Sequence, residues 1–190
     1  MSERTFRTAK LAPGYDRGAF GCGEAAYNQW LTEHALQSIE SGSCVVYLLL
    51  GMHPGSDEQV KGYFAICPTL VVRDDLPKPL QRKVLRNATA WLLAKLALDS
   101  SMHGDKVNQW GWQLLRAALE TIMKASELGG GQTIVVDASS SGMVGWYARH
   151  GFISIGGGIV RLYMKVATAR KYLGSAGDRS FVHTRTGAIR

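Results

Sequence analysis

The sequence predicts a single α/β domain built around a mixed β-sheet. Amphipathic helix patterns alternate along the chain with short runs typical of buried strands, which is the element order of an α/β fold. The length of 190 residues suits one domain, and 46% hydrophobic residues can fill its core. This composition excludes disorder of the whole chain.

The N-terminal part is predicted to contain a loop, one helix and two strands. Apolar side chains recur at helical spacing from Glu24 to Ile39, and Gly42 ends that helix. Pro68 is expected to interrupt the second strand or to end it. The predicted segments are a loop at 11–22, the helix at 24–39, strands at 43–51 and 60–72 with a turn at 53–57 between them, and a polar connection at 73–79.

The remainder follows a strand–helix–strand–helix–hairpin order. Residues 92–99 fit either a helix or a strand by pattern, and we assign 95–99 to a central strand because of the family resemblance described below. The later elements are a helix at 110–128, a strand at 132–137, a helix at 139–150 and a hairpin with arms at 152–155 and 159–166 around the glycines 156–158.

The charge is concentrated at one end of the chain. The net charge is +7, of which +6 falls in residues 161–190 and +1 in the first 160. Such a segment suits a phosphate-rich partner or an acidic protein, and it also fits a solvated tail. We therefore expect a domain at 1–166 followed by a basic extension at 167–190.

Composition also limits the location and the metal chemistry. The three cysteines lie far apart, so neither a disulfide framework nor a metal site is expected. No signal peptide or apolar run of membrane-spanning length is present in the sequence. The expected location is the cytoplasm, without a membrane partner.

Three segments resemble motifs of the GCN5-related N-acetyltransferases (GNATs). Residues 93–104 resemble the central strand and the turn that follows it, 111–119 resemble the next helix, and 135–152 resemble a strand and helix with a Tyr-x-x-x-Gly-Phe ending. Residues 20–35 are similar to the first helix of the toxin-type, TacT- and AtaT-like subgroup. The resemblance implies a GNAT fold whose mixed sheet splays at an acetyl-CoA cleft and is flanked by helices.

The resemblance also implies site residues for an acetyl-CoA-dependent acyltransferase. Tyr147 would protonate the leaving thiolate, and a backbone N–H of the splayed strand would stabilise the oxyanion. The loop before Gly111 departs from the family's Arg/Gln-x-x-Gly-x-Gly/Ala pattern, because it is about three residues longer and has Gln109 at a glycine position. The candidate cofactor-binding residues are Leu96, Ala97, Leu98, Lys106, Gln109, Trp110, Gly111 and Trp112.

The toxin resemblance implies the α-amine of an aminoacyl-tRNA as acceptor. An α-amine has a pKa of about 7.7–8.0 and needs little help from a base, so Asp99 and His103 are expected to shape the turn after the strand. A ribbon-helix-helix antitoxin is the implied partner, and a homodimer remains open. The candidate tRNA contacts are Arg73, Lys78, Arg82, Lys83, Arg86, Arg149 and Arg161.

Two other functions remain compatible with the sequence. A GNAT could acetylate a small-molecule amine or a protein N-terminus, and it would then be indifferent to RNA. The altered cofactor loop also fits a non-catalytic binding module with the GNAT fold.

Overall fold

Seven strands form one mixed β-sheet in the computed structural model, which describes residues 5–52, 57–154 and 160–175. The strands are β1 (Thr5–Lys10), β2 (Val45–Met52), β3 (Gln59–Val72), β4 (Asn87–Leu98), β5 (Thr133–Asp137), β6 (Ile153–Ser154) and β7 (Arg161–Lys165). Their order in the sheet is β1-β2-β3-β4-β5-β7-β6. β4 and β5 are parallel, whereas β1 with β2, β5 with β7, and β6 with β7 are antiparallel. The predicted mixed α/β class is confirmed.

Helices connect most of these strands. The α-helices are α1 (Ala25–Gln29), α2 (Ala35–Glu40), α3 (Lys78–Gln81), α4 (Trp110–Gly129), α5 (Ser141–Arg149) and α6 (Val166–Ser175). Short 3₁₀ helices occupy Arg73–Asp75 and Ser100–Met102. Among the helices that the structure describes, none has the length and apolarity that a bilayer span requires.

The first predicted helix is present with one unpredicted feature. A π-helix at Trp30–His34 joins α1 to α2, so the helical segment is continuous over residues 25–40. Gly42 has φ +70° and donates its N–H to the carbonyl of Ile39 at 3.0 Å, which ends the helix as expected.

The expected interruption at Pro68 is wrong. β3 runs without a break from residue 59 to residue 72. β2 has eight residues and β3 has fourteen, so part of β3 extends past β2. A proline is tolerated where a strand lacks a neighbour on one side, because no ladder bond to its missing N–H is lost there.

The central strand is longer than the sequence pattern indicated. β4 begins at Asn87, and its first four residues alternate between exposed positions and positions that are half-buried or buried. Its parallel register with β5 runs from Ala90 opposite Thr133 to Leu93 opposite Val136. β4 then continues five residues beyond its last pair with β5, as expected of a sheet that splays at this strand.

Two compact units can be distinguished by residue contacts. Among the described residues, the first comprises 5–52, 57–64 and 95–115, and the second comprises 65–94, 116–154 and 160–175. The core of the first unit includes Leu31, Leu48, Leu50, Phe64 and Leu114, all at most 1% exposed. A cluster in the second unit contains Val71, Leu76, Leu80, Val84, Ala90, Val135 and Tyr163.

Helix α6 follows directly on β7. Its Ala169 and Leu173 are buried, although we expected this stretch to lie outside the domain. The predicted turn at 53–57 lies largely outside the described residues, and the glycines at 156–158 lie wholly outside them. Residues 176–190 of the predicted extension also lie outside the described residues.

Candidate active site

The end of β4 presents two backbone N–H groups to one edge of the strand. The amide of Asp99 donates to the carbonyl of Lys61 at 2.9 Å, so residue 99 faces β3. Backbone groups alternate in direction along a strand, and Ala97 therefore also faces β3. Leu96 and Leu98 consequently point their N–H groups to the opposite edge.

These two N–H groups lie beyond the β4–β5 ladder. The ladder ends at Leu93, three residues before Leu96. A donor that no ladder bond uses is suited to an incoming carbonyl oxygen. Of the three strand residues expected to contact the cofactor, the amide direction suits Leu96 and Leu98, whereas the Ala97 amide faces β3.

The two candidate bases after β4 are both engaged in the turn. The Asp99 carboxylate accepts N–H bonds from Ser101 at 3.0 Å and Gly21 at 3.2 Å, and it also accepts from the Ser101 hydroxyl. Burial alone would raise the pKa of Asp99, but these bonds and Lys61 lower it below its ordinary value. Asp99 is thus an anionic cap of the 3₁₀ helix.

His103 is bonded to the same strand end. Its Nε2 lies 2.9 Å from the carbonyl oxygen of Leu98. A carbonyl can only accept, so Nε2 carries the proton and donates. The expectation that Asp99 and His103 shape the turn agrees with these contacts.

The loop before α4 is organised by one carboxylate. Asp105 Oδ1 accepts from the amides of Val107 at 3.0 Å and Asn108 at 2.9 Å. Its Oδ2 accepts from the Asn108 side chain and, at 3.1 Å, from the indole N–H of Trp110. Hydrogen bonds from Asn108 are the main cause that lowers the pKa of Asp105. Two amides of this loop therefore already have an anionic partner.

A cavity of about 330 Å³ lies beside this loop. The Trp110 ring contacts Phe6 with centroids 4.4 Å apart, and it lines the cavity without filling it. Gly51 is required in its wall, because a Cβ there would lie 2.9 Å from the Phe6 ring and 3.0 Å from Lys61. The lining includes Phe6, Met52, Lys61, Ser101, Asp105 and Trp110.

The first turn of α4 is the other expected phosphate contact. The amide of Gln113 donates to the carbonyl of Gln109 at 3.1 Å, so the helix hydrogen bonds begin at Gln109. The amides of the first turn have no acceptor within the helix, and the helix dipole favours an anion there. Gly111 and Trp112 lie in this turn, and Lys106 lies in the loop before it.

Tyr147 lies in α5 and is 4% exposed. The helix begins after Ser140, whose hydroxyl accepts from the amide of Met143 at 3.4 Å. Gly151 has φ +87° just after the helix end. The rings of Trp146 and Phe152 contact the tyrosine edge-on at 4.9 and 5.4 Å. The phenol ring is thus buried between two aromatic side chains.

The expected tRNA contacts all lie in the second unit, and most precede β4. The Arg73 amide donates to the Arg86 carbonyl at 2.8 Å and closes this connection. Leu76, Leu80 and Val84 anchor it in the core. Besides Arg73, the exposed cations of this connection are Lys78, Arg82, Lys83 and Arg86, and these four are here called the basic segment.

Two of the other expected contacts already have acidic partners. Arg161 forms a bidentate pair with Asp137, with both distances 2.7 Å. Arg73 pairs with Asp74 at 3.2 Å. Arg149 is exposed in the last turn of α5. The basic segment is therefore better suited to an external phosphate than Arg161 is.

Solved structures that are similar to this chain identify its fold family. No family model matches the sequence. A Tyr-to-Phe mutant of KacT is similar with TM-score 0.79 and 25% identity, over 88% of this chain and 98% of that one. AtaT complexed with acetyl-methionyl-tRNAfMet has TM-score 0.76 and 27% identity, over 87% and 98%. AtaTR bound with acetyl-CoA has TM-score 0.74 and 27% identity, over 88% and 97%.

The chain has the fold of the toxin-type GNAT acetyltransferases. The resemblance drawn from the sequence motifs is confirmed, as is the assignment to acetyl-CoA-dependent acyltransferases. A further structure shows the AtaT toxin, as a Tyr-to-Phe mutant, bound to the C-terminus of the antitoxin AtaR.

The backbone of Gln109 has an unusual conformation at a position where the GNAT loop motif has glycine. This residue has φ +50°, in the left-handed region that favours glycine. Gln109 is also the residue that the motif resemblance places at a glycine position of the loop. The side chains that sequence reasoning missed are Phe6, Lys61, Asp105 and Asn108, which are distant in sequence and have no motif of their own.

Proposed function

We propose that this GNAT transfers the acetyl group of acetyl-CoA to the α-amine of an aminoacyl-tRNA and acts as the toxin of a toxin–antitoxin module. One observation carries the proposal. The chain is similar over 87% of its length to AtaT complexed with acetyl-methionyl-tRNAfMet. Acetylation of that amine would block peptide-bond formation.

The proposed reaction is a direct transfer. The neutral α-amine attacks the thioester carbonyl carbon, a C–N bond forms and the C–S bond breaks. The N–H groups of Leu96 and Leu98 are the candidate donors to the oxyanion. Tyr147 gives its phenolic proton to the departing thiolate, and the proton lost by the amine returns to solvent or to the phenolate.

The proposed cofactor contacts use charge and backbone donors. The amides at the start of α4, with Gly111 and Trp112, face the phosphates of acetyl-CoA, and Lys106 adds a cation. Gln109 and Trp110 shape the entrance to that turn. The Asp105 carboxylate orders the loop from within.

The proposed tRNA surface is the basic segment together with Arg149. Exposed cations attract RNA phosphates through a salt-dependent interaction. Arg73 and Arg161 contribute less in this proposal, because acidic neighbours already neutralise them. The domain is proposed to span 1–166, followed by a basic extension at 167–190 whose first part lies in α6, where Ala169 and Leu173 are buried.

The proposed partner is a small DNA-binding antitoxin of ribbon-helix-helix type. It would bind the toxin directly, as the C-terminus of AtaR binds AtaT. A homodimer is compatible with the proposal. The proposed location is the cytoplasm, where charged tRNA is found.

The test is acetyl transfer to charged tRNA. The full chain is incubated with acetyl-CoA labelled in the acetyl group and with total tRNA that is either aminoacylated or deacylated. We expect label only on the aminoacylated tRNA. Tyr147→Phe is expected to lower kcat by about 10²–10⁴-fold, as for loss of a general acid.

Three results would overturn the proposal. Label on free amines or peptides in preference to tRNA would indicate the small-molecule or N-terminal acceptor. Label on deacylated tRNA would exclude the α-amine. Absence of acetyl-CoA binding, with no effect of Tyr147→Phe, would indicate a non-catalytic binding module.

A further inference from the structure

A lysine of the central strand lies against two aromatic rings of the first helical segment. The Nζ of Lys95 is 4.9 Å from the centroid of Tyr27 and 5.6 Å from that of Trp30. Tyr27 and Trp30 are three residues apart, so they share one helix face. Both rings and the lysine are partly exposed. The three side chains therefore form a partly exposed surface patch with the ammonium group beside both rings.

The buried side chain of Tyr63 supports both aromatic residues. Trp30 stacks on Tyr63 with centroids 5.8 Å apart and planes 13° apart. The Tyr63 hydroxyl donates to the carbonyl of Tyr27 at 2.9 Å. Phe20 contacts Tyr63 edge-on at 5.4 Å. Tyr27, Trp30, Tyr63 and Lys95 are here called the aromatic–lysine cluster.

The charge of Lys95 is not neutralised by an acid. Within residues 5–52, 57–154 and 160–175, no carboxylate forms an ion pair with it. The aromatic rings attract the ammonium group but add no negative charge. The cluster therefore keeps its capacity to bind an anion.

The cluster lies on the sheet face opposite α4. A Cβ at Gly62 would lie 3.2 Å from Leu114, so α4 packs on the face to which residue 62 points. Tyr63 points to the other face because neighbouring strand residues alternate, and there it meets Trp30. Lys95, which lies over the Trp30 ring, shares that face.

The position along β4 places the cluster beside the candidate oxyanion donors. Lys95 immediately precedes Leu96, and it lies within about 10 Å of Leu98 along an extended strand. The start of α4, the candidate site for the cofactor phosphates, belongs to the helix on the other face. A ligand on the cluster would thus reach the same strand end from the side opposite α4.

A helix irregularity coincides with the cluster. The π-helix starts at Trp30, and the amide of Ala35 donates to the Trp30 carbonyl. π-Helical turns are rare and occur frequently at functional sites. This turn begins at Trp30, which is one of the two rings beside Lys95.

We infer that the aromatic–lysine cluster binds the single-stranded 3′ end of the acceptor RNA, with Lys95 on a phosphate and the exposed rings against a base. This inference rests on the proposed function, because it identifies where that acceptor approaches β4. Single-stranded nucleic acid is held by cations along its backbone and by aromatic rings on which bases stack. The cluster offers both groups, unneutralised and partly exposed.

Binding of a short RNA tests the inference without requiring acetylation. The probe is a fluorescent single-stranded RNA that ends in CCA, and anisotropy gives its Kd on the full chain at several salt concentrations. Lys95→Gln is expected to raise Kd about fivefold to tenfold and to reduce the salt slope by about 0.7, as for one lost phosphate contact. Lys95→Arg should restore most of the binding.

The controls separate a local effect from general loss of charge or fold. Lys10→Gln removes an exposed lysine of β1 in the same unit, and it should leave Kd unchanged. Trp30→Phe should bind more weakly than the wild type but keep its thermal stability within a few degrees. The KM for acetyl-CoA should be unchanged in Lys95→Gln.

Two sets of outcomes would overturn the inference. It fails if the wild-type chain does not bind the RNA, or if Lys95→Gln and Lys10→Gln weaken binding equally. It also fails if Lys95→Gln raises the KM for acetyl-CoA and leaves RNA binding intact, because the phosphate would then be the cofactor's. Lys95-dependent RNA binding without acetylation of charged tRNA would reject the proposed function and retain the site.

Discussion

The indole N–H of Trp110 donates to the Asp105 carboxylate at 3.1 Å, and this bond ties the loop after β4 to the first residue of α4. The same carboxylate accepts two backbone amides and the Asn108 side chain. Asp105 therefore orders the stretch where the GNAT phosphate loop is expected, although it adds negative charge there.

We expect Asp105→Ala to weaken acetyl-CoA binding about fivefold to tenfold, because the loop loses its organising acceptor. Isothermal titration calorimetry gives the Kd. Asp16→Ala is the matched control, since Asp16 is a loop carboxylate that accepts only the Gly18 amide among its described hydrogen bonds. An unchanged Kd in Asp105→Ala would contradict this role, and a lower Kd would show that the carboxylate opposes cofactor binding.

The left-handed backbone at Gln109 gives a second test. Gln109→Gly relieves the strain of φ +50° and should raise the free energy of unfolding by about 0.5–1 kcal/mol. Gln109→Val, with a β-branched side chain, should lower it. Chemical denaturation measures both, and a glycine variant less stable than the wild type would contradict the strain.

The pH dependence of stability tests the Asp99 cap. Folding lowers the pKa of Asp99, so its carboxylate stabilises the fold above the ordinary carboxyl pKa of about 4 and loses this effect as pH falls below it. Asp99→Asn should cost about 1 kcal/mol at pH 7. The urea midpoints of the two proteins should converge as pH falls below the ordinary carboxyl pKa, and a constant difference would refute the cap.

The basic segment and Arg161 should respond differently to charge removal. Arg82→Gln is expected to weaken tRNA binding several-fold and to reduce the salt slope by about one unit. Arg161→Gln should have a smaller effect, because Arg161 is already paired with Asp137. Filter binding over a salt series measures both, and equal losses would contradict this ranking.

Elements with strong periodicity were predictable from the sequence. α4 agrees within one residue at its end, because an apolar stripe marks it and glycines follow it. The prediction of a break in β3 at Pro68 was wrong, because the sequence does not show whether a strand has a neighbour on the side of the missing N–H. The start of β4 was missed because its half-buried residues show no run of apolar side chains.

The candidate site was predictable only where a motif exists. Gln109 was identified by comparing the loop with the family's glycine pattern, and its φ of +50° lies in the left-handed region. Lys95 and Tyr27 are 68 positions apart, and nothing in the local sequence of either residue indicates the other. Ion pairs such as Arg161 with Asp137 likewise depend on strand register, which separate segments do not reveal.

The position of the transferred acetyl group tests the central claim most directly. Charged tRNA is incubated with acetyl-CoA and the full chain, and it is then digested with nuclease. The released aminoacyl-adenosine is fragmented by tandem mass spectrometry to locate the acetyl group. We expect the acetyl group on the α-nitrogen of the amino acid, and its near absence with Tyr147→Phe. Acetyl on a base, on a protein lysine or on no RNA fragment would contradict the account.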